Sequence, residues 1–342
     1  MGTIIAAWLM VGMMAGPPDN NGDLARFEFT RTEMAVSVSI IMYAPDDATA
    51  ATAANAAFDR IHQLNSILSD YEEESELRRL CSHSSEGHSV PVSDDLWRVL
   101  QHALELSAKT DGAFDVSIGP VVRLWRRARR LKELPSAEAL KIALARVDYR
   151  AIRLHPDGHA VELLKPNMML LDLGGIAKGY ALEEAYKVVK ARGINRVLIR
   201  AGGDIVLGDA PPEKPGWRIG IGQIDPEKPP RFYLWLSQAE IATSGDRFQF
   251  VEIGGKRYSH IIDPKTGLGL TDRCQVTVVV PQGTLADGLA SSICIMGPEK
   301  GLQMLEKIPG AAAYLITIPE QQEKEEVRQS ERWKTLPLAD KE

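Results

Sequence analysis

Cysteine is scarce in this chain, and its three copies do not pair by spacing. Cys81, Cys274 and Cys294 form no CxxC among 342 residues and leave an odd one over, which argues against a disulfide framework or a zinc site. Cys294 lies in the apolar run 293–296 and reads as a small core residue. Positive charge is not in excess either. Lys and Arg number 40 against 46 Asp and Glu, a net charge of −6, so no global basic field favours nucleic acid. Basic and aromatic residues do not interleave as a single-strand binder requires. The short cluster Arg126-Arg127 with Arg129-Arg130 reads as a solvated helix face. The dinucleotide spacing G-x-G-x-x-G and internal repeats are also missing. The apolar run at 3–15 (Ile4, Ile5, Ala6, Ala7, Trp8, Leu9, Met10, Val11, Met13, Met14) is too short for a comfortable membrane span.

That run ends at Ala15-Gly16-Pro17-Pro18 and fits the core of an export signal followed by small residues, although no Lys or Arg precedes it. A buried N-terminal helix, or a start codon set too late, are the other readings. No cysteine follows, so a lipid anchor is not supported. The expected layout is an export segment at 1–18, a linker at 19–26, a folded body at 27–336 and a tail at 337–342.

With 44% hydrophobic residues the body can bury a full core. Residues 27–43 alternate in places (Val36, Val38, Ile40) and read as strands. Asp46 caps a long helix with Phe58, Ile61, Leu64 and Leu68 on one face. A Ser- and Glu-rich loop is expected at 69–91, then helices capped by Ser93 and Ser136. Met168, Met169, Leu170 and Leu171 read as a buried strand, and Ala181, Ala185, Val188 and Val189 as a helix stopped by Gly193. Short strands and glycine turns follow, including the hairpin turn Ile253-Gly254-Gly255-Lys256. The last helices are expected at 284–296 and 299–308, with a closing hairpin of 314–318 and 333–336. The pattern is α+β with extensive antiparallel sheet.

Four segments carry candidate chemistry. Asp172-Leu173-Gly174-Gly175-Ile176-Ala177-Lys178-Gly179 is a glycine turn opening a helix, where free N–H groups and a first-turn lysine suit a phosphate, or where the turn is only structural. Asp287 and Ser291 are four apart on one helix face, a carboxylate and hydroxyl suited to Mg²⁺, unless Asp287 merely caps its helix. His260 closes a strand before a turn presenting Asp263 and Thr266, and acts either as a base or as an ordinary hydrogen-bonded histidine. Asp111-Gly112-Ala113-Phe114-Asp115 follows a helix and either lines a base or flavin pocket or stops that helix.

Together and in this order, these segments resemble the ApbE family, Mg²⁺-dependent FAD:protein FMN transferases, over about 27–336. The segments 172–179, 259–267 and 286–292 carry the likeness, supported by 111–120, Gly202-Gly203-Asp204 and 243–246. The resemblance implies an ApbE-like (T-fold-like) α+β fold with mixed, largely antiparallel sheets and packed helices. It implies that Asp172 and Lys178 contact FAD, that Ala113, Phe114 and Asp115 line its site, and that Tyr71 stacks on it. His260 and Ile261 are implied beside the flavin and pyrophosphate, with Met34 near the same pocket. The Gly175 carbonyl, Asp287 and Ser291 are implied to bind Mg²⁺. The family usually has Met-Gly-Thr where this chain has Met34-Ala35-Val36.

The implied reaction cleaves FAD, moves FMN onto a threonine of an acceptor flavoprotein and releases AMP. His260 is the first candidate base and Asp263 the second. FAD hydrolysis to FMN and AMP uses the same site, and a non-catalytic FAD carrier is the reading from another class. A bacterial exported location, periplasmic or associated with the inner membrane through the N-terminal segment, completes the expectation.

Overall fold

The structure is a computed structural model describing residues 24–84, 87–165, 169–225, 227–246, 249–281, 285–320, 322 and 324–340. The expected export segment 1–18 and linker residues 19–23 lie outside the described residues. So do 168 and 284 of the expected elements, 248 of a further strand expected at 248–253, and 341–342 of the tail.

Eight strands form the central sheet: β1 (Ala25–Glu33), β2 (Val36–Ala44), β3 (Val197–Ala201), β4 (Asp204–Leu207), β5 (Ala239–Gly245), β6 (Arg273–Val280), β7 (Ala312–Ile318) and β8 (Glu326–Gln329). They lie side by side in chain order, and each neighbouring pair is antiparallel. Alternation sets the two faces. In β2, Val38, Ile40, Met42 and Ala44 enter the main core, while Ile41 and Tyr43 point to the other side.

The main core is closed by helices inserted between β2 and β3: α1 (Asp47–Leu68), α2 (Glu76–His83), α3 (Asp94–Lys109), α4 (Gly119–Leu131), α5 (Ala137–Leu144) and α6 (Ala177–Lys190). A last helix, α7 (Leu285–Leu305), lies between β6 and β7. Three caps form as the sequence indicates. Asp46 accepts from the Thr49 N–H at 2.7 Å, Ser93 from Leu96 at 3.3 Å and Ser136 from Ala139 at 3.2 Å. Ala50, Ala53, Ala54 and Ala57 let α1 pack closely on α6, whose own facing residues include Ala181 and Ala185. The break inside α7 falls at Gly297 (φ 77°), directly before Pro298, which cannot continue the ladder.

The opposite face is covered by a small sheet of Trp217–Ile221, Phe232–Leu236 and Leu338–Ala339. A third cluster joins Val121 and Trp125 of α4 to Val251 and Tyr258 of the hairpin Phe250–Ile253 and Lys256–Ser259. The Trp125 indole N–H donates to the Gly267 carbonyl at 2.7 Å, so α4 and the turn after His260 are fixed to each other.

Three expected elements differ. Leu170 is not in a strand: it makes one isolated parallel bridge with Ile118, and the Asp172 N–H donates to Val116 at 2.8 Å. An extended apolar run became a connector because its partner is a turn rather than a strand. The loop 69–91 contains α2, capped by Ser75, whose short apolar face of Leu77, Leu80 and Cys81 is masked by polar neighbours. The closing hairpin pairs β7 with β8, while Arg332–Thr335 is a 3₁₀ turn. Among the described residues no helix is long and apolar enough to cross a membrane.

Candidate active site

Lys178 lies in the first turn of α6, and its ammonium is shared by two buried carboxylates. It reaches Asp287 Oδ2 at 2.9 Å and Asp204 Oδ2 at 3.1 Å. Asp204 opens β4 and Asp287 stands in the first turn of α7, so three separate sequence motifs converge on one charge. Those two carboxylates hold Lys178 firmly protonated against the cost of burial. Burial first, then the charge of Asp287, pushes Asp204 up to about 7, opposed by Lys178. Asp204 Oδ2 accepts no hydrogen bond of good geometry, only the charge of the ammonium.

The glycine turn supports this cluster through its backbone. Leu173 O accepts from Ile176 and Ala177, and Asp172 Oδ1 accepts from the Gly174 N–H at 2.8 Å. These three N–H groups are therefore already committed, and the helix start is less open to phosphate than the sequence suggests. A Cβ built on Gly288 would lie 3.5 Å from the Gly175 carbonyl oxygen, which places that oxygen against the first turn of α7. The Phe114 ring edge is 3.2 Å from a Cβ built on Gly175 or Gly288, so the aromatic wedges between both. One helical turn beyond Asp287, Ser291 Oγ lies 2.8 Å from Ser244 Oγ of β5.

A second cluster surrounds Arg126 of α4. Its guanidinium pairs with Asp70 at 2.6 Å and Asp172 at 3.3 Å, and its Cζ lies 3.9 Å from the Tyr71 ring centroid. Tyr71 is 76% exposed, so its other ring face is open. Burial and the neighbouring Asp70 raise the Asp172 carboxyl, against the Gly174 N–H and Arg126, which lower it. Arg126 and Arg129 are half-buried and only Arg127 and Arg130 are exposed, which corrects the reading of this run as a solvated face.

His260 directly follows the hairpin strand Lys256–Ser259. Its Nδ1 and its main-chain N–H both meet the Gln249 carbonyl at 3.0 Å. A carbonyl only accepts, so Nδ1 carries the proton and Nε2 keeps its lone pair. Burial lowers the imidazole to about 4; the Gln249 bond opposes this, and the charges of Arg129 and Lys178 add to it. Ile261 is buried, its N–H on Ser259 Oγ at 3.0 Å.

Other expected site residues are held by local structure. Asp263 Oδ1 accepts from the Lys265 N–H at 2.8 Å and Oδ2 from Thr266 at 3.2 Å, so its carboxylate builds its own turn. Asp115 is buried, with Oδ1 on the Ser117 N–H (2.8 Å) and hydroxyl (2.6 Å) and Oδ2 on the Tyr149 N–H (3.1 Å). Ala113 is buried beside it. Met34 forms, with Ala35, the two-residue turn between β1 and β2, both at positive φ, and packs on the main core. A cavity of about 570 Å³ lies away from these residues, between the other sheet face and Trp217–Ile221.

A sequence model of the ApbE family matches residues 34–316. The chain belongs to the ApbE family. It is 31% identical over 330 residues to the FAD:protein FMN transferase of Treponema pallidum, covering 90% of each chain. It is 32% identical over 253 residues to that of Vibrio cholerae, covering 72% of this chain and 74% of the relative. Among solved structures, the Vibrio cholerae flavin transferase ApbE has a TM-score of 0.79 at 27% identity, covering 92% of this chain and 99% of the other. The Thermotoga maritima ApbE protein has a TM-score of 0.80 at 26% identity, covering 91% and 99%. The α+β architecture expected from the sequence is thus an ApbE fold.

Three groups in this ApbE site were not singled out by sequence reasoning: Asp204, named only within a supporting glycine turn, Ser244 and Arg126. Ser244 carried no signal beyond its turn motif, and Arg126 looked like one of four equivalent arginines. A divalent cation fits the donor set. Two buried carboxylates share a single ammonium, which leaves a surplus negative charge beside a carbonyl and two hydroxyls, all hard oxygen donors. Among the described residues no three acidic, His or Cys side chains cluster as ligands. Backbone and hydroxyl oxygens must therefore complete any such site.

Proposed function

We propose that the protein transfers FMN from FAD to a threonine hydroxyl of an acceptor flavoprotein, with Mg²⁺, and releases AMP. The observation that carries this reading is the Asp204–Lys178–Asp287 cluster beside the Gly175 carbonyl, with a neutral His260 within electrostatic reach. The names of the relatives support the transfer of FMN from FAD to a protein. Gly175 O, Asp287 and Ser291 would hold Mg²⁺, which neutralises pyrophosphate charge when bound. Asp172, Lys178, Ala113, Phe114, Asp115, Ile261 and Met34 are the proposed lining of the nucleotide site, with Tyr71 as the stacking face.

The threonine oxygen forms a bond to the phosphorus on the FMN side, the P–O bond to AMP breaks, and the hydroxyl proton leaves to a base. His260 is the better base, because its Nε2 lone pair is free while both Asp263 oxygens are engaged. An imidazole lowered to about 4 is unprotonated at neutral pH but weakly basic. It takes the proton as the new bond forms rather than beforehand. We further propose that 1–18 directs export and that 27–336 is the transferase body, working at the periplasmic side of a bacterial inner membrane.

Incubation with FAD, Mg²⁺ and a protein bearing an exposed acceptor threonine, read by mass spectrometry, tests the reading. An FMN adduct is expected. Free FMN and AMP alone would make the enzyme a hydrolase, and FAD returned intact would leave only a carrier. His260→Ala should bind FAD normally and transfer about 10²–10⁴-fold more slowly. Unchanged transfer removes His260 from the role.

A further inference from the structure

We propose that Cys274 and Cys294 close into a disulfide when the chain folds under oxidising conditions, tying β6 to α7 one helical turn from Ser291. The two thiols come from different elements and are both buried, with Sγ atoms 2.7 Å apart. A disulfide spans about 2.05 Å, so the sulfurs must approach by only about 0.65 Å. Besides Cys274, the polar neighbour of Cys294 Sγ is the Ser244 carbonyl at 3.9 Å, too weak a partner to hold it away. Cys81 takes no part, because its sulfur accepts the Leu171 N–H at 3.4 Å beside the glycine turn. An odd cysteine count therefore leaves one pair and one single thiol.

The site gives the link a consequence. Cys294 stands three residues after Ser291, whose hydroxyl meets Ser244 on β5, and Cys274 lies on the adjacent strand β6. A covalent tie there fixes the register of α7 on the sheet, and so the position of Asp287 and Ser291. Burial holds the folded Cys294 thiol far above its usual range, so it is unreactive once packed. The bond forms while the chain is still folding. A thiolate of one cysteine attacks a disulfide oxidant, and the second displaces the resulting mixed disulfide. Two thiols lose two electrons and two protons, and the oxidant becomes two thiols. None of this depends on flavin transfer.

The full chain is refolded once with oxidised and reduced glutathione and once with excess dithiothreitol, then denatured and alkylated. In the glutathione sample one alkylated cysteine, Cys81, is expected against three in the dithiothreitol sample, with a non-reduced peptide linking 274 to 294. The oxidised protein should melt about 5 °C higher than the reduced one. That gap persists in Cys81→Ser and vanishes in Cys294→Ala and in Cys274→Ser. Three alkylated cysteines, a link through Cys81, or glutathione adducts as the sole products would overturn the proposal.

Discussion

At the scale of single residues, Arg126 has three simultaneous contacts, and they join two parts of the site far apart in sequence. It pairs with both Asp70 and Asp172 and covers one face of Tyr71. If Tyr71 stacks on the flavin, Arg126 sets the angle at which it does so. Arg126→Met should then weaken FAD binding about tenfold, the size of a partly desolvated cation–π contact. In a Tyr71→Ala background the same change should cost less than about threefold, since the coupling is lost. Titration calorimetry on the four proteins decides this; an equal factor in both backgrounds would mean that Arg126 acts without Tyr71. His260 makes a separate prediction. Its folded pKa, about 4, lies below the ordinary 6.5, so between these values the unfolded chain binds more protons than the native one. Stability from this group is complete above pH 6.5 and lost as pH falls towards 4. Wild type should therefore lose more stability between pH 7 and pH 5 than His260→Gln, measured by urea unfolding. Equal losses would mean that the imidazole titrates normally. Asp287, Ser291 and Lys178 were readable as chemistry because each sits in a short motif. Arg126 was not, because its role needs Asp70 and Asp172, which only the fold brings to it.

At the scale of elements, local signals located most helices and failed where the partner was distant. Caps at Asp46, Ser93 and Ser136 were visible because each cap bonds within three residues. The break at Gly297-Pro298 was visible for the same local reason. The segment at 169–173 was not, since an apolar run does not state whether a strand or a turn will face it. Here it faces the turn that leads into α4, and the approach is close. A Cβ on Gly119 would lie 2.4 Å from the Leu170 carbonyl oxygen and 2.9 Å from the Leu170 Cβ. Backbone cannot give way as a flexible side chain can, so Gly119→Ala must push α4 from the 170–172 segment. A loss of about 1–3 kcal/mol is expected from such overpacking, together with weaker FAD binding, because Arg126 moves with α4 relative to Asp172. Urea midpoints and FAD titration check both. A stable variant with normal binding would show that α4 and the glycine turn are not tightly coupled.

At the scale of the molecule, the sheet repeats one plan twice without repeating its sequence. The hairpin β1–β2, a helical insertion and the hairpin β3–β4 are followed by β5–β6, α7 and β7–β8. The first insertion runs from 45 to 196 and the second from 281 to 311, so the two halves share topology but little length. The sequence carries no internal repeat that reveals this. The insertions place α6 and α7 on one face, where Lys178 meets Asp287, while the other face carries a separate core of Trp217, Tyr314, Trp333 and the small sheet. The site thus lies on the face of the main core, and a second, smaller core lies on the other. Trp333 packs with ring centroids 5.4 Å from Tyr314 and 6.5 Å from Phe232, in the second core rather than the one around the site. Trp333→Ala should cost about 3–5 kcal/mol, as large-to-small core changes do, and lower the melting temperature accordingly. FAD affinity at a temperature where the variant is still folded should stay within about twofold, because distant sites that share no partners act nearly independently. A parallel loss of stability and FAD affinity would show instead that the small sheet sets the position of β4 and β5, and through Asp204 and Ser244 the geometry of the site itself.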